Sequence, residues 1–195
     1  MGFLRSSIFL FLGNVSIAIS SLLLGIITAR ILEPTGRGEL YLALQIINVG
    51  SIYLSLGIAP AYQYFISKKI ITESKIISHI IYQIILVSII LVFLYLFSPV
   101  ILNNFELNSI NVNLIFFCVI GVLINIVNLF STSVILTKNN GIPFHSVLSI
   151  IGSFFNLFLI VLFTYFDSLD FETAVYSYFG GLLVQIIPKI YKVLS

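Results

Sequence analysis

Long apolar stretches alternate along this chain with short polar segments, and nearly all charged side chains fall in the polar segments. The hydrocarbon core of a bilayer is about 30 Å thick and disfavours charge, so a helix that crosses it needs about 20 apolar residues. Each apolar stretch has about that length, whereas a membrane strand is shorter and alternates polar with apolar residues. The pattern therefore predicts an all-α membrane protein.

Six such stretches are present, and each is predicted to be one transmembrane helix. We expect residues 1–195 to form a single six-helix transmembrane lobe. The predicted spans are residues 7–29, 40–66, 79–102, 112–136, 146–166 and 174–191.

The segments between the spans carry turn-forming residues. They are Pro34, Gly36 and Gly38 after the first span, Asn103 and Asn104 after the third, and Asn139, Asn140, Gly141 and Pro143 after the fourth. Segment 67–78 differs, because pairs of isoleucines alternate there with lysines and Glu73. That pattern favours a short helix that lies in the membrane interface.

The amino-acid composition excludes several classes of function for this chain. The chain is 59% hydrophobic and 8% charged, whereas a soluble domain has about 25% charged residues. A net charge of +2 is too small to indicate a nucleic-acid partner. The sequence has a single cysteine, Cys118, which excludes a disulfide framework or a cysteine-based zinc site within one chain.

The distribution of Lys and Arg predicts the orientation, because cytoplasmic loops are enriched in both. With the N-terminus inside, only Arg30 and Arg37 fall on the outer side. Both termini are then cytoplasmic in a multi-pass protein of the cytoplasmic (inner) membrane. The bases on the inner side are Arg5, Lys68, Lys69, Lys75, Lys138, Lys189 and Lys192.

Amide and hydroxyl side chains recur inside the spans at helical spacing, so that each set lies on one helix face. The sets are Asn14, Ser21, Gly25 and Thr28 in the first span, Gln45, Asn48, Ser55 and Tyr62 in the second, Gly121, Asn125, Asn128 and Thr132 in the fourth, Ser149, Ser153 and Asn156 in the fifth, and Gly181 and Gln185 in the sixth. Such faces either pack helices together or line a wet path for a hydrophilic cargo. The candidate path residues are Asn14, Arg30, Arg37, Gln45, Asn48, Asn125, Asn128 and Thr132.

The second span also contains Gly57 and Pro60. Proline removes a backbone hydrogen bond and kinks a helix. The two residues are candidates for a hinge that bends the outer end of the span, and a static kink is the alternative.

Residues 28–39 are the one outer segment in which bases and acids crowd together. Arg30 and Arg37 either pair with Glu33 and Glu39 as an outer gate, contact an anionic group of a cargo, or belong to a solvated turn whose surface pairs contribute little.

Two runs in this region, Ile27–Glu39 (ITARILEPTGRGE) and Leu54–Tyr62 (LSLGIAPAY), resemble the first two helices of polysaccharide-exporting flippases. These flippases belong to the multidrug/oligosaccharidyl-lipid/polysaccharide exporter superfamily. Their usual pattern is Arg-x-Leu-Gly-Pro-Glu-Gly-Arg-Gly-Glu, followed by Leu-Gly in the second helix. Here Glu33 stands where the family usually has Gly, and Thr35 where Glu is common.

The resemblance implies translocation of an oligosaccharide linked to a polyprenyl diphosphate, by alternating access between two six-helix lobes. Arg30 and Arg37 are then candidates to contact the diphosphate, and the amides to contact the sugars. Family members usually have twelve to fourteen helices, so the resemblance implies a second lobe as partner. That lobe is either a missing C-terminal half or a second copy of this chain, and the chain is then a native half-transporter or a fragment.

Two other functions stay open. A multidrug/cation antiporter usually carries a carboxylate deep in its spans, and none lies there in this sequence. A non-transporting scaffold for an assembly enzyme complex would use the polar faces as helix contacts.

The sequence favours no enzyme, cofactor or metal. It lacks Cys-x-x-Cys, His-Glu-x-x-His and a phosphate-binding P-loop. His79 and His145 lie at predicted cytoplasmic helix starts, where interfacial or capping roles are expected.

Overall fold

A computed structural model describes residues 3–104 and 112–194, and the regular elements in these ranges are seven α-helices. They are α1 (Phe3–Ile31), α2 (Pro34–Leu54), α3 (Ile58–Ser67), α4 (Glu73–Asn104), α5 (Val112–Thr137), α6 (Gly141–Tyr165) and α7 (Phe171–Leu194). The described part of the chain is thus all-α, as the apolar pattern predicted. Glu106, in the segment after α4, lies outside the described residues.

Four stretches are long and apolar enough to cross a membrane: Ser6–Ile31, Lys75–Pro99, Leu114–Thr137 and Gly141–Tyr165. They confirm helices at the first, third, fourth and fifth predicted spans. The bent pair α2 and α3 counts as a fifth candidate when taken as one span. α7 covers the sixth predicted span as a helix but is less apolar, because it contains Gln185, Pro188 and Lys189.

The helix surfaces fit a lipid environment. Only 11% of the most apolar window of Ser6–Ile31 is buried inside the protein. Large apolar side chains such as Phe11, Leu96 and Ile187 are each about two-thirds exposed. Exposed apolar surface this extensive is rare on soluble monomers and marks a membrane or partner interface.

The turn predicted at Pro34, Gly36 and Gly38 is wrong. α2 begins at Pro34, and the Arg37 N–H donates to the Glu33 carbonyl at 2.9 Å. The first-turn N–H groups of a helix have no partner within it, so a proline there removes no bond. The charged segment is therefore largely the first turns of a helix.

The second predicted span, residues 40–66, is not one continuous helix. α2 and α3 meet at an angle of 51°. Leu56 and Gly57 adopt left-handed backbone, with φ of 50° and 67°. Pro60 lies in the first turn of α3, where its missing N–H breaks no helical bond. The break therefore occurs at Gly57, and a proline kink does not cause it.

The short interfacial helix predicted within segment 67–78 is also wrong. α3 ends at Ser67, and Lys69 adopts a left-handed φ of 55°. The N–H of Ile70 donates to the Phe65 carbonyl at 3.0 Å, which satisfies a terminal carbonyl of α3. α4 then begins at Glu73, so the segment is a tight turn followed by the start of a long helix.

The chain divides into two compact units, each described separately. The first comprises Met1–Leu40 and Asn128–Ser195, and the second comprises Tyr41–Val127. In the first unit α6 packs against both α1 and α7. A Cβ atom built on Gly181 would lie 2.7 Å from the Gly152 carbonyl oxygen. The backbones of α6 and α7 therefore touch at these two glycines.

Candidate functional site

A buried lysine lies in the first unit. Lys189 of α7 has 0% of its surface exposed. Its Nζ donates to Asn128 Oδ1 at 2.7 Å and to Thr132 Oγ1 at 3.0 Å. Asn128 and Thr132 are four residues apart on α5 and therefore share one helix face. Both are among the predicted path residues, and the structure brings them together on one ammonium.

The ligands of this ammonium are electrically neutral. Among the described residues no carboxylate pairs with Lys189, and its two hydrogen-bond acceptors are an amide and a hydroxyl oxygen. Burial of an ion costs several kcal/mol, whereas a hydrogen bond to a charged group contributes about 1.5–3 kcal/mol. The two bonds offset part of that cost, and the positive charge stays without a negative partner within the described residues.

His145 of α6, a half-buried histidine, contributes a second buried polar atom near Lys189. Its Nδ1 atom is buried and has no hydrogen-bond partner among the described residues. The imidazole lies within electrostatic range of the Lys189 charge. A neutral imidazole carries one donor and one acceptor nitrogen, so an unpartnered buried Nδ1 is available to a ligand.

The connection between α5 and α6 fixes this arrangement. Only residues 138–140 separate the two helices, and Asn140 adopts a left-handed φ of 58°. A Cβ atom on Gly141 would lie 1.8 Å from the Ile135 carbonyl oxygen, so only glycine fits there without a backbone shift. The turn therefore starts α6 directly against the end of α5.

The other lysines at this end of the unit have different partners. Lys138 Nζ donates to the Lys192 carbonyl at 2.7 Å and so caps the C-terminal end of α7. The Lys192 ammonium lies 3.9 Å from the centre of the Phe144 ring, a cation–π contact. Lys189 is therefore distinguished from Lys138 and Lys192 by its complete burial.

A small cavity with several polar side chains in its wall lies in the same unit. Its volume is about 150 Å³, and Gln185, one helical turn before Lys189 on α7, lines it. Ser20 Oγ and Asn156 Oδ1 are buried there, and the part of the chain that the structure describes gives neither a hydrogen-bond partner. The polar side chains of the wall are Ser20, Ser21, Ser153, Asn156, Tyr178 and Gln185. A cavity with unsatisfied hydroxyl and amide groups is suited to water or ligand hydroxyls.

The second unit joins two further predicted path residues. Asn125 Nδ2 of α5 donates to Asn48 Oδ1 of α2 at 3.4 Å. Gln45 and Asn48 are exposed, and Asn125 is half-buried. The long bond leaves both amides hydrogen-bonding capacity for another group.

A larger cavity of about 370 Å³ lies in the second unit beside the helix break. Gln83 of α4 spans the break weakly: it accepts from the Tyr62 hydroxyl at 3.4 Å and donates to the Ser55 carbonyl at 3.5 Å. The rest of the wall is mainly aliphatic and comprises Leu54, Leu56, Ile58, Leu86, Val87 and Ile90 with His79 and Tyr82. Gln83 therefore links the two sides of the hinge candidate Gly57 only through long hydrogen bonds.

The remaining predicted residues lie elsewhere. Asn14 is exposed on α1, Arg30 is exposed at the end of that helix, and Arg37 is half-buried in the first turns of α2. Neither arginine is among the hydrogen-bond partners of Lys189, which within the described residues are Asn128 and Thr132.

Sequence reasoning missed Lys189 and His145. The charge pattern places Lys189 among the inner-side bases, and the position of His145 at a predicted cytoplasmic helix start predicts an interfacial or capping role. One signal was available, since Lys189 falls inside the predicted span 174–191. An ionisable residue within a transmembrane segment is a functional candidate by default.

The chain is similar to a known protein family over most of its length. Residues 3–193 match the family model described as "Polysaccharide biosynthesis protein". No curated protein and no solved structure matches the chain. The family match spans nearly the whole sequence and agrees with the resemblance carried by residues 27–39 and 54–62. The chain therefore belongs to the polysaccharide biosynthesis protein family, a transporter family of the multidrug/oligosaccharidyl-lipid/polysaccharide exporter superfamily.

Proposed function

We propose that this protein moves an oligosaccharide linked to a polyprenyl diphosphate across the cytoplasmic membrane. The observation that carries the proposal is the polar cluster formed by the fully buried Lys189 and the half-buried Asn128 and Thr132. A cargo with sugar hydroxyls and a diphosphate needs neutral hydrogen-bonding groups together with positive charge. The amides Asn48 and Asn125 supply further neutral groups in the second unit.

The proposal includes alternating access between two six-helix lobes, of which this chain supplies one. The helix break at Gly57 supports a movable element, because glycine adopts left-handed backbone without strain. The second lobe is either a further six-helix segment or a second copy of this chain. α7 serves as the sixth span in this arrangement, with its polar face turned inward at Gln185 and Lys189.

Orientation is part of the same proposal, with both termini cytoplasmic. Lys189 is buried and no longer counts as a loop base. The remaining predicted inner bases still outnumber Arg30 and Arg37, so the charge bias keeps its direction.

The cation-antiporter alternative is less well supported. The four apolar stretches that qualify as membrane spans contain no Asp or Glu. An ion-coupled antiporter would need a carboxylate or an equivalent ligand there, and the buried group found is a cation.

Transbilayer movement of a fluorescent polyprenyl-diphosphate oligosaccharide, measured in vesicles by quenching from outside, tests the proposal. Vesicles that contain the protein are expected to expose their inner-leaflet label within minutes, and protein-free vesicles are not. Replacing Asn48 and Asn125 with leucine should slow the movement at least about tenfold, because bonds to sugar hydroxyls are lost. Replacing the exposed connection residue Asn139 with leucine is the matched control.

The number of copies per vesicle distinguishes the two forms of the second lobe. If two copies form one transporter, the active fraction of vesicles rises with the square of the protein density at low density. A lack of movement at every density contradicts the proposed function.

A further inference from the structure

We propose that Lys189 is a binding site for a phosphoryl anion, and that Asn128 and Thr132 hold its ammonium until the anion replaces them. The inference rests on the proposed function in one respect, since the anion would be the diphosphate of the lipid-linked cargo. The contact with the diphosphate is thereby assigned to a residue other than Arg30 and Arg37, which lie at the end of α1 and in the first turns of α2.

The charge of the site is the first reason. Lys189 is fully buried, and its hydrogen-bond partners are uncharged. A hydrogen bond that joins α7 to α5 needs only a neutral donor such as glutamine, which would avoid the cost of burying an ion. A buried cation at this position therefore points to a negatively charged partner that enters the site. Lysine binds phosphate groups as a compact point charge.

The second reason is the neighbouring imidazole. His145 Nδ1 is buried and finds no hydrogen-bond partner within residues 3–104 and 112–194, and the histidine is close enough to Lys189 to be affected by its charge. As an N–H donor, Nδ1 would bond to a second oxygen of the same anion. The ammonium and the imidazole come from two helices, α7 and α6, that touch at Gly181 and Gly152.

Asn128 and Thr132 compete with the anion for the hydrogen bonds of the Lys189 ammonium. Asn128 Oδ1 and Thr132 Oγ1 accept hydrogen bonds from the ammonium, which is the role that phosphoryl oxygens would take. Because the lysine has no exposed surface, the anion binds only when α7 and the end of α5 separate. Anion binding therefore favours the opened arrangement over the closed one.

Competition between Thr132 and the anion predicts that removing the Thr132 hydroxyl strengthens anion binding, which a purely structural role of Thr132 does not predict. Thr132→Val keeps the shape of the side chain and removes one competitor, so affinity for the anion should rise by about tenfold, the value of one hydrogen bond to a charged group. If Thr132 instead lined a path and contacted the cargo itself, the same change would weaken binding. Thr28→Val is the matched control, because that buried hydroxyl donates only within its own helix, to Leu24 and Gly25 carbonyls.

Isothermal titration of the purified full chain with inorganic diphosphate tests the site. Lys189→Met should weaken binding at least tenfold, whereas Lys192→Met, on the same helix, should leave it within about twofold. Lys189→Arg should retain binding, since it keeps the charge. Repeating the titration in nanodiscs of phosphatidylcholine and of phosphatidylglycerol separates diphosphate from lipid headgroups as the occupant.

Equal affinity in the two lipids, loss in Lys189→Met and gain in Thr132→Val support the proposal. It is overturned if the wild type does not bind diphosphate, if Lys189→Met binds like Lys192→Met, if Thr132→Val weakens binding, or if phosphatidylglycerol abolishes binding. If Lys189→Met fails to fold, the Thr132→Val result decides. The vesicle assay is independent: movement of cargo that survives Lys189→Met would contradict this site and leave the proposed function standing.

Discussion

The contact between Gly152 and Gly181 holds α6 against α7, and Gly181→Ala tests it. A Cβ atom on Gly181 would lie 2.7 Å from the Gly152 carbonyl oxygen and 2.9 Å from Asn156 Cβ. Neither neighbour is the end of a flexible side chain, so the helices must move apart. Overpacking of this kind costs about 1–3 kcal/mol, and the better helix propensity of alanine returns about 0.5–1 kcal/mol.

The net expectation for Gly181→Ala is a loss of up to about 2.5 kcal/mol, or a fall of up to about 10 °C in Tm for a chain of this size. Thermal unfolding in detergent measures it. Gly38→Ala is the control, because a Cβ atom there meets nothing within 4 Å, and its Tm should rise by about 1–4 °C. A Gly181→Ala protein as stable as Gly38→Ala would show that the two backbones do not touch, and the placement of Gln185 and Lys189 would lose its basis.

Three further changes test other parts of the fold. Gly57→Ala should lower stability by about 1–2 kcal/mol in thermal unfolding, because alanine is strained at a φ of 67°; an unchanged Tm would contradict the left-handed break. Asp170→Ala should cost about 0.5–2 kcal/mol, since Asp170 Oδ1 accepts from the Thr173 N–H at 2.8 Å at the start of α7, and Asp170→Asn should restore most of it. Cys118, which is 5% exposed, should react with a maleimide only after unfolding, and rapid labelling of the native protein would contradict its buried position on α5.

Several helix boundaries could be predicted from sequence for a physical reason. The predicted span 112–136 and the observed α5, Val112–Thr137, nearly coincide. The residues that follow it form a turn in which Asn140 is left-handed and Gly141 touches the Ile135 carbonyl. Turn residues of this kind end a helix wherever they occur, so local sequence is sufficient.

The break between α2 and α3 could be located only approximately. Gly57 and Pro60 both signal a bend, and sequence does not say which one adopts the unusual backbone. Pro34 and Gly36 likewise resemble turn residues, yet the first turn of a helix accepts them. Position within the helix decides the outcome, and that position depends on the rest of the fold.

The Lys189 cluster was the largest omission. Asn128 and Thr132 were predicted as polar path residues from their spacing alone. Lysine near the end of a span can extend to the interface or turn inward, and the choice depends on whether a neighbouring helix offers acceptors. The acceptor Thr132 lies on α5, 57 residues before Lys189 in the sequence. The residues next to Lys189 therefore give no indication that these acceptors are available.

We propose that the buried cation of α7 takes part in the movement of a lipid-linked oligosaccharide. The most direct test is the rate of transbilayer movement of the fluorescent polyprenyl-diphosphate oligosaccharide in vesicles that contain wild type, Lys189→Met, Lys189→Arg or Lys192→Met at equal density. We expect wild type and Lys192→Met to move the cargo at similar rates, Lys189→Arg to keep a measurable rate, and Lys189→Met to fall to the rate of protein-free vesicles. Movement at the wild-type rate by Lys189→Met would contradict the claim.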